Sequence, residues 1–360
     1  MRILLIDTYY EQFLDDLYAR EPTLAESDFD VQLRRLFDQV FSVGDAYSDS
    51  LRALGCECLE IIVNASFLQA RWAAEHNLTL TGDPKERMRQ VVTAQISHYR
   101  PDVLFVFEWC PLGDAFLTEI KPRVKLLVGQ ISSPLPHNRT FAAYDLMVSS
   151  WPPIVSHFRD QGIDAEPLKL AFDARIANRL VREKPLYDVT FVGGFAPSHA
   201  DRVPWLERVL QDVEVDIFGY DLSRVPPGSP IHSRFRGPAW GWEMYDVLRR
   251  SRITLNLHAN IEVGGVYAKD VAANMRLYEA TGVGTCLVTE QKDNLTEMFE
   301  PGKEVVTFKD FDDCANKVRY LLDHDEERTR IAEAGRRRTL RDHTYLIRMA
   351  ELADLIRRRL

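Results

Sequence analysis

The run Asp102-Val103-Leu104-Phe105-Val106-Phe107 is apolar at every position after its first. A strand with one wet face alternates apolar and polar side chains. A strand without alternation is covered on both faces, as in a parallel sheet between two layers of helices. Comparable short runs recur at 2–6, 58–63, 124–129 and 145–149, then at 188–193, 213–219, 253–257 and 305–308. Segments of helical periodicity separate them, at about 11–19, 28–42, 45–54, 64–76, 84–99, 113–121 and 151–161. In the second half they lie at 201–211, 242–250, 311–323, 325–340 and 345–359. Strands joined by helical crossovers predict an α/β protein built on doubly wound, mostly parallel sheets.

A chain of 360 residues exceeds one ordinary core. The polar stretch at 174–184 interrupts the alternation, which then restarts. The expected division is a first Rossmann-like domain over 1–172, a linker over 173–187 and a second Rossmann-like domain over 188–344. Two such domains leave a cleft at the carboxyl ends of their strands, where ligands of this fold class bind.

A net charge of -9 supplies no basic field for nucleic acid. The arginine runs 336–338 and 357–359 are the exception; they read as solvated helix faces or as a contact with an anionic acceptor or membrane surface. No apolar run approaches the roughly 20 residues of a membrane helix, and the first apolar run is too short for a signal peptide. The five cysteines form no disulfide or zinc framework. A cytoplasmic protein, peripheral at most at the inner face of a membrane, is expected.

The densest concentration of chemistry is Asn274-Met275-Arg276-Leu277-Tyr278-Glu279-Ala280-Thr281-Gly282, followed by the apolar run Cys286-Leu287-Val288. Asn274 can cap a short helix and Gly282 can end it. The start of such a helix directs free N–H groups and the positive end of a dipole at an anion, and Arg276 adds a cation. Glu279 can accept two hydrogen bonds from a ribose diol, or it can pair with a neighbouring Arg or Lys. Gly193 and Gly194, at the end of the first strand of the second domain, form a tight turn or a ligand loop. They are not part of a G-x-G-x-x-G dinucleotide motif. Arg202 can reach a phosphate or face solvent. Asn256 and His258 end another strand, and Gly264-Gly265 could extend a phosphate cradle.

In the first domain Glu108 and His137 follow strand ends and are the candidate acid–base groups. Asp7 and Tyr9, after the first strand, are candidates for contact with an acceptor. Asp15-Asp16 and Asp312-Asp313 fall on helices and read as surface charge, so no metal site is expected.

At this point the chain resembles the GT-B fold glycosyltransferases, in particular a group-one-like family of the spore-maturation-protein type. The resemblance rests on Asn274 to Gly284, on Asn294-Leu295-Thr296-Glu297-Met298-Phe299-Glu300-Pro301-Gly302-Lys303-Glu304, and on His343-Thr344-Tyr345. It implies a nucleotide-diphosphate sugar held by the second domain, with Glu279 on the ribose and the Asn274 helix end on the diphosphate; Gly193, Gly194, Arg202, Asn256, His258, Arg276 and Thr281 are the further candidates for donor binding. It also implies a final helix, 345–360, returning to the first domain. The implied reaction is metal-independent and cofactor-free transfer of a hexose-like unit to a glycan or lipid-linked acceptor, with retention as the expected outcome. Many such enzymes carry a second Glu eight residues before the ribose carboxylate. Here that position is Val271, with Asp270, Lys269 and Glu262 as substitutes. The rival readings are an epimerase or hydrolase acting on nucleotide sugars, and a binding protein on an inactive transferase fold.

Overall fold

The computed structural model describes residues 1–107, 111–181, 183–259, 261–263, 266–268 and 270–360. Glu108, Gly264, Gly265 and Lys269 lie outside the described residues. The chain divides into two compact units, Met1–Lys169 with Arg348–Leu360, and Leu170–Ile347.

The first unit is built on a six-stranded sheet of β1 (Arg2–Asp7), β2 (Glu57–Ile62), β3 (Val103–Phe107), β4 (Leu126–Gln130), β5 (Leu146–Ser149) and β6 (Ala165–Pro167). The strand order is β2-β1-β3-β4-β5-β6, and every pairing is parallel. β3 and β4 are buried along their whole lengths, as their unbroken apolar sequences require. Each fully buried Leu or Phe in such a strand contributes about 1.5–3 kcal/mol. The helix Pro84–Tyr99 shows how a crossover is punctuated. The Asp83 side chain accepts from Glu86 N, Pro84 fills the first turn, and Arg100 leaves in the left-handed region. The last helix, Tyr345–Arg357, packs with the first unit from Arg348 onward. Arg359 fastens the chain end there through Asp164 at 2.6 Å and Glu166 at 3.3 Å.

The second unit carries β7 (Tyr187–Val192), β8 (Asp216–Phe218), β9 (Phe235–Gly237), β10 (Ser251–Asn256), the hairpin strands β11 (Ile261–Val263) and β12 (Val266–Ala268), β13 (Cys286–Glu290) and β14 (Val306–Phe308). Its sheet runs β14-β13-β10-β7-β8-β9 and is parallel throughout. Phe191, Leu255 and Val288 of the three central strands share one core with Trp205 and Leu206 from the helix Arg202–Val209 and Val318 from the helix Phe311–Asp323. Both units are therefore doubly wound α/β sheets, as the sequence predicts.

Several short elements depart from the sequence reading. The stretch read as linker holds the helix Ala174–Arg179, started by the Asp173 side chain on Arg175 N. The Pro/Gly-rich segment before residue 238 holds the helical turn Ile231–Arg234 and the edge strand β9. β6, β9 and the β11–β12 hairpin have three residues per strand, too few for periodicity to register. Among the described residues no helix is long and apolar enough to cross a membrane.

The first sheet buries two carboxyl groups. Glu60, in the middle of β2, is 1% exposed, and Asp7 closes β1. Burial pushes Glu60 up to about 8, with the Asp7 charge adding to it, and burial pushes Asp7 up to about 7. A carboxyl raised in the folded state keeps its proton where the unfolded chain has lost it. Its favourable contribution is complete below the ordinary value near 4.5 and is lost as pH rises through about 8. Glu60→Gln removes that loss. Urea denaturation should show the variant gaining on the wild type between pH 5 and pH 8 by roughly 2–4 kcal/mol. A difference independent of pH would contradict the assignment.

Candidate functional site

The carboxyl ends of β7, β10 and β13 lie side by side in the second sheet. β7 runs out into Gly193-Gly194. A methyl group at Gly194 would collide with the Tyr220 ring, and one at Gly193 would stand 3.0 Å from Arg202 Nη1. Glycine is required at both positions because Tyr220 and Arg202 pack against the loop.

Arg202 opens the helix Arg202–Val209 beneath that loop and is 9% exposed. Its Nη1 donates to Gly194 O at 2.6 Å and its Nη2 to Leu257 O at 3.3 Å. Its guanidinium lies over the Phe191 ring at 5.4 Å, and its Nε has no partner. Among the described residues no carboxylate pairs with it. Burial is the main cause that brings it down to about 10; Arg276 adds to the shift, and Tyr220 and Glu290 oppose it. At neutral pH it remains a cation. Of the two sequence readings for Arg202, solvent exposure is ruled out by this burial.

β10 ends in Asn256, followed by Leu257 and His258. The Asn256 amide donates to Thr289 Oγ1 at 2.9 Å and accepts from Asn274 Nδ2 at 2.8 Å. His258 is 7% exposed, with Nε2 at 3.2 Å from Thr289 Oγ1 and Nδ1 buried without a partner. Burial, reinforced by Lys292 and Arg202, drives its pKa down to about 3, so the ring is neutral at physiological pH. Its backbone N–H donates to Glu290 Oε2 at 2.6 Å.

The helix after Asn274 spans Arg276–Val283. Two boundary expectations are corrected here. Met275 occupies the cap position, with no side-chain cap bond, because the Asn274 amide is engaged with Asn256. Gly282 lies inside the helix, where a side chain would strike the Phe172 ring, and Gly284, at φ 86°, ends it. The segment leading into the helix is held from the other side. Asn294 accepts from Ala272 N at 2.7 Å and donates to Ala272 O at 3.0 Å.

Glu279 is buried and pairs with Arg276 at 2.7 Å. Burial raises its pKa while Arg276 opposes the rise. The pairing with a neighbouring arginine is thus realised, in the interior instead of on a helix surface. Thr281 turns away from this group; its hydroxyl bonds Leu277 O and Thr339 Oγ1, both at 2.6 Å, between two helices.

Glu290 and Lys292, at the end of β13, complete the group and were not among the sequence candidates. The Lys292 side chain is 9% exposed, with Nζ 3.6 Å from Glu290 Oε1. Their signal was position alone: a charged residue just past an apolar strand. Within this set three cations, Arg202, Arg276 and Lys292, stand against two carboxylates, Glu279 and Glu290, beside a neutral histidine.

In the first unit, Asp7 accepts from Thr8 N at 2.7 Å and is buried. Tyr9 is corrected as an acceptor contact. Its ring packs between Phe13 and Phe41 and its hydroxyl is buried, while the exposed neighbour is Tyr10. His137 lies exposed in a turn. Glu262 and Asp270 are exposed. Much of the arginine-rich C-terminal region is committed to ion pairs. Arg338 meets Asp342, Arg358 meets Asp354, and Arg359 meets Asp164.

Residues 202–354 match the family model described as glycosyl transferase-like. No curated protein matches the sequence. A glycosyltransferase structure from Rickettsia africae is 11% identical with a TM-score of 0.60, over 99% of this chain and 98% of that one. Sucrose-phosphate synthase from Thermosynechococcus elongatus is 12% identical with a TM-score of 0.59, over 99% and 98%. Anabaena HepE in complex with UDP-glucose is 11% identical with a TM-score of 0.59, over 99% of each chain. At these identities the likeness is one of fold. The chain has the two Rossmann-like domains of the GT-B glycosyltransferases, and over residues 202–354 it carries the sequence pattern of the glycosyl transferase-like family.

Proposed function

We propose that this protein is a glycosyltransferase that binds a nucleoside-diphosphate sugar on its second unit. It passes the sugar, a hexose-like unit, to a glycan or lipid-linked acceptor. The observation that carries the reading is Arg202: a buried guanidinium beside the Gly193-Gly194 loop, with no carboxylate within ion-pair distance among the described residues. Burying an unpaired charge is costly, and a diphosphate in that place would remove the cost. Arg276 and the start of the helix Arg276–Val283 add positive potential on the other side.

The chemistry follows from the charges. Glycosyl transfer passes through an oxocarbenium-like state in which the anomeric bond breaks and the electron pair leaves with the diphosphate. Fixed cations aimed at that leaving group stabilise the transition state more than the ground state. Glu279 serves the ribose: with Arg276 holding one carboxylate oxygen, the group stays in place to accept hydroxyl hydrogens. Acceptor activation falls to the first unit. There Glu108 and His137 are the candidates, with Asp7, a buried carboxyl that burial pushes up to about 7, as the next. Work in the cytoplasm with an acceptor at or near a membrane surface is the setting we infer.

Two outcomes test this reading. Glu279→Gln should weaken nucleoside-diphosphate binding by about tenfold or more in calorimetry, the worth of charge-assisted bonds to a diol. Because the substitution also takes the buried partner from Arg276, the melting temperature should fall as well, and affinity is compared at a temperature where the variant is folded; equal affinity in variant and wild type would remove Glu279 from the ribose. Secondly, turnover of a nucleotide sugar should survive EDTA, because the leaving group meets Arg202, Arg276 and Lys292. Loss of turnover restored by manganese or magnesium would assign that task to a metal. Sugar release or epimerisation with no acceptor product would favour the hydrolase or epimerase reading.

A further inference from the structure

Glu290 is an anomaly in a pocket read as an anion cradle. Arg202 feels its charge, and Lys292 lies within 3.6 Å of it. A carboxylate facing a diphosphate directly would repel it, so Glu290 must have a different task in a pocket that works as proposed above. Its geometry shows which. Oε2 is fixed by the His258 N–H at 2.6 Å, and the neutral imidazole adds no charge that would neutralise it. Oε1 stands beyond hydrogen-bond distance from Lys292, and the side chain keeps 27% exposure. The result is a carboxylate anchored through one oxygen, with accepting capacity left on the other, at the rim of the strand ends. The group adjoining a diphosphate in a nucleotide sugar that is rich in O–H donors and carries no charge is the sugar.

We propose that Glu290 holds the transferred sugar by accepting hydrogen bonds from its hydroxyls, while Lys292 stands between that carboxylate and the diphosphate and pairs with the latter. This rests on the donor reading above. It assigns the choice of sugar to β13's carboxyl end. Sugars whose hydroxyls point toward Glu290 are held, and epimers with the hydroxyl reversed lose the bond.

The test compares each nucleoside diphosphate with its hexose conjugate: UDP with UDP-glucose, GDP with GDP-mannose, dTDP with dTDP-glucose. Affinities are measured by calorimetry on the full chain, using the pair that wild type binds tightest. Glu290→Gln retains an oxygen for the His258 N–H and so preserves the strand ends. It should weaken the nucleotide sugar about tenfold while leaving the bare nucleotide equal or tighter, since a negative charge beside Lys292 is gone. Lys292→Gln should weaken both ligands alike, because it acts on the diphosphate that they share. A merely structural Glu290 would lower both affinities in parallel, and that result overturns the proposal. So does a Glu290→Gln variant that binds the nucleotide sugar as wild type does, with nucleotide binding intact. Wild type binding none of the six ligands would overturn the donor reading itself, and this assignment with it. Should Glu290→Gln fail to fold, the Lys292→Gln pattern still decides. Loss on the sugar conjugate alone would contradict the division of labour.

Discussion

The guanidinium of Arg202 joins the segments that run out of two neighbouring strands. By donating to Gly194 O and Leu257 O it ties the glycine loop after β7 to the residues that follow β10. The rest of the site depends on that junction. Leu257 leads to His258, whose N–H fixes Glu290, and Asn256 fixes Asn274 and so the approach to the helix Arg276–Val283. The arrangement satisfies two backbone carbonyls past the carboxyl ends of central strands and, among the described residues, leaves a buried positive charge with no carboxylate at ion-pair distance. The first is a structural gain, and the second costs stability. Binding sites commonly hold such strain.

Preorganisation runs through the neighbouring side chains. The Asn256–Asn274 amide pair and the Asn294 clamp on Ala272 hold the segment before the helix from both sides. The N–H groups at the helix start therefore need little reordering when a ligand binds, which is where affinity and rate are commonly lost. His258 and His199 both sit well below the ordinary histidine range, each at about 3 and each chiefly through burial. Neither imidazole therefore carries charge at physiological pH.

The architecture was legible because the strands are long enough and apolar enough to register. β3 and β4 show no alternation, which in a parallel sheet means two covered faces. The helix carrying Arg276 and Glu279 was legible from composition, but its ends were not. Asn274 looked like a cap because its amide suits one; the tertiary bond to Asn256 claimed it first. Gly282 looked like a stop, yet it is small because Phe172 packs against it, and the left-handed turn falls at Gly284. Tyr9 and Thr281 share a lesson. A polar group past a strand or on a short helix can face the core as readily as the ligand, and only the packed structure decides. Glu290 and Lys292 escaped notice since their meaning comes from His258, which is distant in sequence and adjacent across the β10–β13 pairing.

The account stands on the claim that the cations at these strand ends await a diphosphate. Thermal unfolding of wild type and Arg202→Met with UDP, GDP and dTDP, each beside its parent nucleoside, tests it most directly. A ligand at a hundredfold excess over its Kd stabilises by about 2.7 kcal/mol. Wild type should show such a shift with at least one diphosphate and little with its nucleoside, and Arg202→Met should lose it. Equal shifts with nucleoside and diphosphate, or an Arg202→Met variant stabilised as fully as wild type, would contradict the account.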